Sequence, residues 1–434
     1  MDQQVKDSLK KLTRFFDHPK AGTWERIDLD IRRNRMGWGR LWLQDGRGNA
    51  LKHRQINLRQ TSHDFRFGCN AFKLKDFEEK EKNDAYEAYF KRIFNEAVVP
   101  LLWDSTEPEK GMLRYAADSC KMSRRPPADL VVEWCEQNHI APKGHWLFCD
   151  NFVPKWLPGD WNEVMLLLED RIAGIRKWDV VNESLCSHPR RDPRIGDASV
   201  PPDYLWQIFK MAEKYLPRQS EFLYNDGGNQ AFERFAHDSS PMFLLADRLL
   251  RRNAKLDGLG IQFHLLADKM EQFSREELCN YFDPAHHLRV LDQLGQLNLP
   301  LHISEISLTT FPELPREAAE EFQAQCLRNF YRIWFSHRNC NSIVYWNLCD
   351  QTAFGEENRW NACLIDGEFN EKPSYKMLDQ LVNREWHTQT TLVTDENGEA
   401  TWNGFYGEYE LEIAGTKKKV SLTPRGENEY KILL

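Results

Sequence analysis

The sequence predicts an α/β protein built on a (β/α)8 TIM barrel, with small flanking β modules at both ends. Residues 66–386 alternate short β-rich runs with helical runs, and repeated strand, loop and helix units are typical of such a barrel. Outside this region, apolar and polar residues alternate with the period of half-buried strands. We therefore divide the chain into an N-terminal helix and small β module (1–65), the barrel (66–386) and a C-terminal small β module (387–434).

The two flanking segments carry similar strand patterns. In residues 38–60 the alternation surrounds Asp45-Gly46, a turn dipeptide that predicts a β-hairpin. In residues 407–413 three apolar side chains alternate with three glutamates, and Asn397-Gly398 supplies a turn just before. We expect these modules to brace the barrel, because no exposed aromatic row is evident, and sugar binding is the alternative.

Within the barrel region, several apolar runs predict strands that end in polar residues, and residues 127–140 predict an amphipathic helix. The helix places Leu130, Val131, Trp134 and Cys135 on one face. The strand segments read FLYND, GLGIQFHLL, LPLHISEISL and NSIVYWNL. Catalytic residues of such barrels lie at the C-terminal ends of the strands, so these polar endings are candidate site positions.

Composition excludes several classes of function. The 58 basic and 66 acidic residues give a net charge of -8 without long blocks of either sign, which argues against nucleic-acid binding. No apolar run is long enough for a membrane helix, and the first residues lack a signal-peptide pattern. As given, the sequence therefore predicts a cytoplasmic protein that does not bind membranes, or a secreted one if its native start is missing.

The ten cysteines contain no C-x-x-C pair and are expected to be reduced thiols. No metal-ligand cluster and no glycine-rich phosphate loop is evident, so we predict neither a metal nor another cofactor. Aromatic residues make up 12% of the chain, with 15 tryptophans, and flat aromatic rings can stack on sugars as well as fill a core.

Two glutamates close predicted strands, Glu183 after KWDVVN and Glu305 after LHIS. A single glutamate at such a position is usually a structural ion-pair partner. Two carboxyl groups at the mouth of one barrel, however, are what glycoside hydrolysis requires: one protonates the leaving oxygen, and the other attacks the sugar or activates water.

The surrounding motifs resemble glycoside hydrolase family 10, the retaining endo-β-1,4-xylanases, over about 320 residues. WDVVNES resembles the acid/base motif of that family, and HISEISL resembles the strand that carries its nucleophile. Further similar segments follow in the family's order: KGHWLFCDNFVPKW, FLYND, LDGLGIQFHL, YWNLCD, CLID and KPSY.

The resemblance implies a (β/α)8 fold and assigns a role to each matched residue. Glu183 would be the general acid/base and Glu305 the nucleophile. The supporting residues would be Asn182 at the sugar 2-hydroxyl, Gln262 near the acid/base, His264 beside the nucleophile, His145 in the glycone site and Trp346 under the sugar. In this mechanism Glu183 starts protonated and Glu305 ionised, so their surroundings should push the two pKa values apart.

The sequence also departs from the family pattern where the family holds its sugars. The centre of the family's T-x-E-N-x-M-K-W segment becomes VPLLW at 99–103, so its glutamate, asparagine and lysine are missing. Other departures are Cys149 and Asp150 for Trp and His, Gly227 and Gly228 for Tyr and Asn, Ser307 for Asp, and Phe354 for Trp. Trp103 and Trp156 are candidates for either the core or the binding site.

These observations predict hydrolysis of internal β-1,4 bonds in xylan, or in a related decorated pentose-containing polysaccharide or oligosaccharide. Two alternatives stay open. One is an exo-acting or oligosaccharide-specific β-glycosidase with an altered glycone site, and the other is a non-catalytic carbohydrate-binding protein on a degenerate barrel. The retained pair of glutamates weighs against the second alternative, because a binder gains nothing from an acid and a nucleophile. The sequence does not predict the oligomeric state.

Overall fold

A computed structural model describes residues 3–149, 153–157, 161–169, 175–185, 201–227, 230–269 and 273–434. Of the positions singled out above, Asp150 and Gly228 lie outside the described residues, as does Cys186. The strands are β1 (Met36–Gln44), β2 (Gln55–His63), β3 (Arg66–Asn70), β4 (Glu96–Pro100), β5 (Ala141–Phe148), β6 (Lys177–Asn182), β7 (Glu221–Asp226), β8 (Gly258–Leu265), β9 (Leu301–Leu308), β10 (Cys340–Tyr345), β11 (Gln389–Val393), β12 (Glu399–Phe405), β13 (Gly407–Ile413), β14 (Thr416–Leu422) and β15 (Glu429–Leu433).

The helices of the described residues are α1 (Gln3–Asp17), α2 (Thr23–Arg35), α3 (Lys80–Ile93), α4 (Trp103–Thr106), α5 (Ala128–Gln137), α6 (Trp161–Glu169), α7 (Tyr204–Tyr215), α8 (Gln230–Glu233), α9 (Pro241–Arg251), α10 (Arg275–Phe282), α11 (Pro284–Gly295), α12 (Arg316–Ser336) and α13 (Pro373–Gln380). Short 3₁₀ turns span His237–Ser239 and Gly355–Trp360, and a π turn spans Leu381–Glu385.

Strands β3 to β10 form a closed barrel in chain order, and every neighbouring pair is parallel. This confirms the predicted fold class. All eight residues of β9 are buried, as expected for a strand enclosed by the barrel interior on one side and by helices on the other. The predicted helical face is also present in α5, where Val131, Trp134 and Cys135 are buried and Leu130 is half-buried.

The two N-terminal helices belong to the barrel rather than to the β strands that follow them. Leu12 and Phe16 of α1 and Ile27 and Ile31 of α2 are buried in the same core as the barrel side chains. Arg35 at the end of α2 donates hydrogen bonds to three carbonyl oxygens around the end of α12 and the start of β10. One of these acceptors, the Phe335 carbonyl oxygen, lies in the last turn of α12, where carbonyl groups have no partner within the helix.

The remaining strands form two sheets in which both ends of the chain take part. One sheet has the order β12-β1-β15, and the other has the order β11-β2-β13-β14. The alternation predicted for β13 is confirmed, because Tyr409, Leu411 and Ile413 are buried between the sheets. We call this two-sheet unit the β module.

The hairpin predicted around Asp45-Gly46 forms only next to its turn, where Gln44 and Ala50 make one antiparallel bridge and Leu51 N donates to the Leu43 carbonyl oxygen at 2.9 Å. The turn itself forms, since Asp45 Oδ1 accepts from the backbone nitrogens of Arg47 and Asn49 at 2.8 and 2.9 Å. However, β1 pairs with β12 and β15, whereas β2 pairs with β11 and β13 in the opposite sheet. Alternating hydrophobicity specifies which face of a strand is buried, but it does not specify the neighbouring strand. Two strands can bury their apolar faces as neighbours in one sheet or as members of two sheets that pack face to face.

The nine cysteines in the described part of the chain are free thiols, and seven of them are buried. Their burial is consistent with small apolar core residues. Within the described residues, no helix combines the length and the apolar character needed to cross a membrane.

Candidate active site

The two predicted carboxylates lie at the same end of the barrel. Glu183 directly follows β6, and Glu305 lies in β9 with 3% of its surface exposed. The backbone of Glu183 has φ of 57°, in the left-handed region that costs free energy for a residue with a side chain. Such conformations are concentrated at functional sites, where the surrounding structure holds them.

One amide nitrogen connects the two carboxylates. Gln262 Nε2 in β8 lies 3.0 Å from Glu183 Oε1 and 3.0 Å from Glu305 Oε1. Because both contacts share one nitrogen atom, the two carboxylate oxygens are less than about 6 Å apart, which bounds their separation well enough to compare with known glycosidases.

Glu305 is surrounded by hydrogen-bond donors. Asn225 Nδ2 donates to Oε1 at 2.8 Å, and His264 Nε2 lies 3.2 Å from Oε2. Burial by itself raises the pKa of Glu305. Opposing effects outweigh burial, namely the charge of His145 and the hydrogen bond and charge of His264, so the net shift of the pKa is downward. The site therefore favours the ionised form of Glu305.

The pKa of Glu183 moves in the opposite direction. Burial raises it most, and the neighbouring Glu305 carboxylate raises it further, while the hydrogen bond from Gln262 opposes them. Asp226 adds a smaller upward effect and also fixes the chain after Glu183, because Ser184 Oγ and Leu185 N donate to it at 2.7 and 2.8 Å. The two catalytic candidates thus have pKa values displaced in the directions that the sequence analysis expected.

His145 is held by a buried series of charged side chains. Its Nδ1 lies 2.8 Å from Asp179 Oδ2, and Lys143 Nζ lies 3.0 Å from the same oxygen. Burial raises the pKa of Asp179, but Lys143 and His145 outweigh burial and lower it to about 2. Since this carboxylate accepts at Nδ1, the ring presents Nε2, which lies 3.8 Å from Glu305 Oε1 and has no hydrogen-bond partner among the described residues.

Asn182 resembles His145 in that one polar atom of its side chain is held by neighbours and another has no partner among the described residues. Its Oδ1 accepts from Asn225 Nδ2 at 2.7 Å and lies 3.3 Å from Gln262 Nε2. Its own Nδ2 is buried and lacks a partner within the described residues. An unpartnered buried donor is costly, and it suits a site where a sugar hydroxyl supplies the missing acceptor.

Ser307, one of the departures noted above, contacts His264 directly. Its Oγ lies 3.0 Å from His264 Nδ1, while Nε2 of the same ring faces Glu305. A serine hydroxyl can donate or accept, so it holds the ring without adding the negative charge that an aspartate would bring.

An apolar cluster surrounds Trp346. Val98, Leu102 and Cys149 are buried in one cluster with Trp346, which is 8% exposed. The cluster also contains Phe72, Trp146 and Val344. Trp346 packs edge-on against Phe72 and His145, with ring centroids 5.4 and 5.1 Å apart. Val98, Leu102 and Cys149 therefore fill space beside Trp346 and offer no amide or ammonium donors to a sugar.

Trp103 belongs to the core, with 1% of its surface exposed and Nε1 donating to Glu107 Oε2 at 3.0 Å. Trp156 is half-buried and donates to the Glu107 carbonyl oxygen at 3.0 Å. Both indoles thus hold the segment around Glu107. Phe354, in contrast, is 56% exposed.

The structure brings all seven predicted site residues to one end of the barrel and adds two that sequence reasoning missed. Asn225 links Glu305 to Asn182, and Asp179 orients His145. A signal for each was present, because Asn225 is one of the two polar residues at the end of the predicted strand FLYND and Asp179 is a charged residue inside an apolar strand. Room for Asn225 depends on Gly260, where a Cβ would lie 2.2 Å from Asn225 Oδ1.

Comparison with known proteins identifies a family. A model of the family described as Glycosyl hydrolase family 10 matches residues 58–381. The chain is 24% identical over 406 residues to anti-sigma-I factor RsgI6 of Acetivibrio thermocellus, covering 90% of this chain and 45% of that protein. It is also 24% identical over 339 residues to endo-1,4-beta-xylanase B of Thermotoga neapolitana, covering 73% of this chain and 87% of that protein. The chain thus spans less than half the length of the first of these relatives.

Solved structures show the same fold. Native xylanase 10B from Thermotoga maritima superimposes with a TM-score of 0.58 and 21% identity, covering 74% of this chain and 96% of that chain. Xylanase 10B from Thermotoga petrophila RKU-1, in complex with xylobiose, gives the same TM-score and identity, covering 74% and 95%. With a barrel of this topology and a family match that spans most of its length, the chain belongs to glycosyl hydrolase family 10, a family of glycoside hydrolases.

Proposed function

We propose that the protein hydrolyses internal β-1,4 bonds of xylan, or of a related decorated pentose-containing glycan, by a retaining double displacement. Glu305 attacks the anomeric carbon while Glu183 gives its proton to the glycosidic oxygen, so that the bond breaks and a glycosyl ester forms. Glu183, now a carboxylate, then takes a proton from water, and the water oxygen displaces Glu305 from the anomeric carbon.

The observation that carries this proposal is the shared contact of Gln262 Nε2 with both carboxylates. This limit of about 6 Å applies to one oxygen of each carboxylate and is compatible with the separation of about 5–5.5 Å between the carboxyl groups of retaining glycosidases, whereas inverting enzymes separate them by about 6.5–9.5 Å to admit a water molecule. The opposed pKa shifts of Glu183 and Glu305 support the same division of roles.

Two unpartnered groups are suited to the sugar bound at the cleavage point. Asn182 Nδ2 and His145 Nε2 are both buried and lack hydrogen-bond partners among the described residues. A bond from Asn182 to a sugar hydroxyl that strengthens as positive charge develops on the ring would lower the barrier rather than only tighten binding.

The apolar cluster on the glycone side supports a changed preference for substrate. A site that loses hydrogen-bonding groups discriminates less well for the hydroxyls they would bind. Arg124 lies beside this cluster, with its guanidinium carbon 5.6 Å from the Phe72 ring centre and both terminal nitrogens 3.2 Å from Asn347 Oδ1. Its Nε is buried and lacks a partner within the described residues, which favours a substrate that carries an acidic branch.

The test is analysis of products by mass spectrometry and of their initial anomeric configuration by NMR. Wild type, Glu183→Ala and Glu305→Ala are compared on linear xylan, arabinoxylan, glucuronoxylan and short xylo-oligosaccharides. We expect random internal cleavage with retained configuration, faster on glucuronoxylan than on linear xylan, and loss of at least three orders of magnitude in each variant. Substituting Arg124→Gln should reduce the preference for glucuronoxylan.

Each other outcome has a definite meaning. Release from one chain end would replace internal cleavage by an exo-acting glycosidase. Inverted configuration would refute the assignment of Glu305 as nucleophile. Binding of these glycans without cleavage would favour a carbohydrate-binding protein, and fastest cleavage of linear xylan would refute the changed preference.

A further inference from the structure

The β module has a groove far in sequence from the catalytic residues. We propose that this groove binds a neutral β-linked glycan chain as a second, non-catalytic site. The proposal rests on the proposed function for the class of glycan, since the groove would hold an unbranched stretch of the polymer that the barrel cleaves.

The groove lies where an edge strand of each sheet meets the surface. It has a volume of about 460 Å³ and is formed by residues of β1, β11 and β12. Strands β11 and β12 are both at the edges of their sheets. This volume lies within the range of about 300–1,000 Å³ that is typical of pockets for small ligands.

Trp38 supplies an aromatic surface in this groove. It is 70% exposed, the largest exposed fraction among the large apolar residues described, and it lies on the solvent face of β1 opposite Asn403 of β12. A single exposed tryptophan needs no functional explanation by itself. Its position in a groove of hydrogen-bonding side chains, however, indicates a function in sugar binding. A sugar has an apolar face that can stack on the ring and hydroxyl groups at its edge that can bind the polar side chains.

The polar side chains that line the groove are uncharged amides and hydroxyls, together with one histidine. Gln389, Thr390, Thr401 and Asn403 are all exposed around Trp38. The side-chain oxygens and nitrogens of Gln389, Thr390 and Thr401 make no hydrogen bonds with other described residues, so they are available to a ligand. His387 is half-buried, and burial lowers its pKa, which keeps it neutral at pH 7.

This chemistry distinguishes a neutral glycan from other ligands. Charged residues make up 29% of the chain, yet the groove contains no aspartate, glutamate, lysine or arginine. Nucleic acids and acidic glycans require cationic contacts, and this lining does not supply them. Hydroxyl and amide groups beside one aromatic ring are suited to an uncharged polyol.

The experiment uses the full chain with Glu305→Ala, so that bound glycan is not cleaved, and adds Trp38→Ala. Xylohexaose binding is measured by calorimetry, and retardation is measured in gels that contain neutral xylan, glucan or mannan. We expect two bound xylohexaose molecules to become one, and gel retardation to weaken about tenfold or more, since the stacking surface is lost. With Glu305 intact, Trp38→Ala should cleave short soluble oligosaccharides at the wild-type rate.

Trp42→Ala is the matched control, because Trp42 lies on the same strand outside the groove. The Arg40 guanidinium lies 5.6 Å from its ring centre and covers it, so binding should be unchanged. Equal loss in both variants would mean a damaged module and would overturn the proposal, as would unchanged binding in Trp38→Ala or no retardation by any glycan. Trp38-dependent binding without xylan cleavage would support this site while refuting the proposed function.

Discussion

Asn225→Ala tests whether the hydrogen bonds around Glu305 set its ionisation. In the wild type, Asn225 Nδ2 lies 2.8 Å from Glu305 Oε1 and 2.7 Å from Asn182 Oδ1. A hydrogen bond to a charged group contributes about 1.5–3 kcal/mol, and one pKa unit corresponds to about 1.4 kcal/mol. Removing this donor should therefore raise the pKa of Glu305 by about one to two units.

The assay is the pH dependence of kcat/KM, which reports the ionisation of the free enzyme. The acidic limb should move upward by about one to two pH units, whereas the alkaline limb should move much less. Ser304 Oγ would also lose its acceptor, Asn225 Oδ1 at 2.5 Å, so stability should fall by about 1–3 kcal/mol.

Asn95→Ala is a control with the same truncation at the opposite end of the barrel. Asn95 accepts from Phe67 N at 2.9 Å and donates to the Phe65 carbonyl oxygen at 3.0 Å, just before β4 begins. It should lose stability without moving either limb. If Asn225→Ala folds but its acidic limb coincides with that of the wild type, the reasoning about Glu305 is wrong.

Three further predictions concern the charged groups of the barrel. Glu183→Gln should remove the alkaline limb of the pH profile along with most activity, because the group with the raised pKa is the proton donor; a retained limb would assign it elsewhere. Lys143→Met should destabilise the fold by about 3–5 kcal/mol in urea denaturation, since the fully buried Asp179 loses its ammonium partner and keeps the contact to His145, whereas the exposed Lys80→Met should leave stability almost unchanged. Asp179 and Glu96 both have pKa values lowered to about 2, because their lysine partners outweigh the effect of burial. Their contribution to the stability of the fold should therefore be complete above about pH 5 and decline as the pH falls toward 2. Urea denaturation midpoints that stay constant over this pH range would contradict these ion pairs.

Much of the fold could be predicted because its signal is local. Parallel barrel strands are buried on both faces and therefore form short continuous apolar runs, such as Leu301–Leu308, that end in polar residues. The order of those runs along the chain is also their order around the barrel. The predicted hairpin is limited to its turn and one bridge, because the pairing of β1 and β2 was not decided locally: both strands carry the right alternation, but their partners lie more than 300 residues away.

The candidate site divides in the same way. The sequence by itself determined the residue types, because Glu183, Glu305, Asn182 and Gln262 stand in recognisable motifs. Only the tertiary structure decided that one amide nitrogen contacts both carboxylates, that Asn225 braces Glu305, and that Leu102 and Cys149 pack beside Trp346. Distances, burial and pKa shifts depend on side chains from different strands, and no single segment of the chain contains that information. The same holds for the groove beside Trp38, whose walls come from both ends of the chain and exist only once the two sheets have formed.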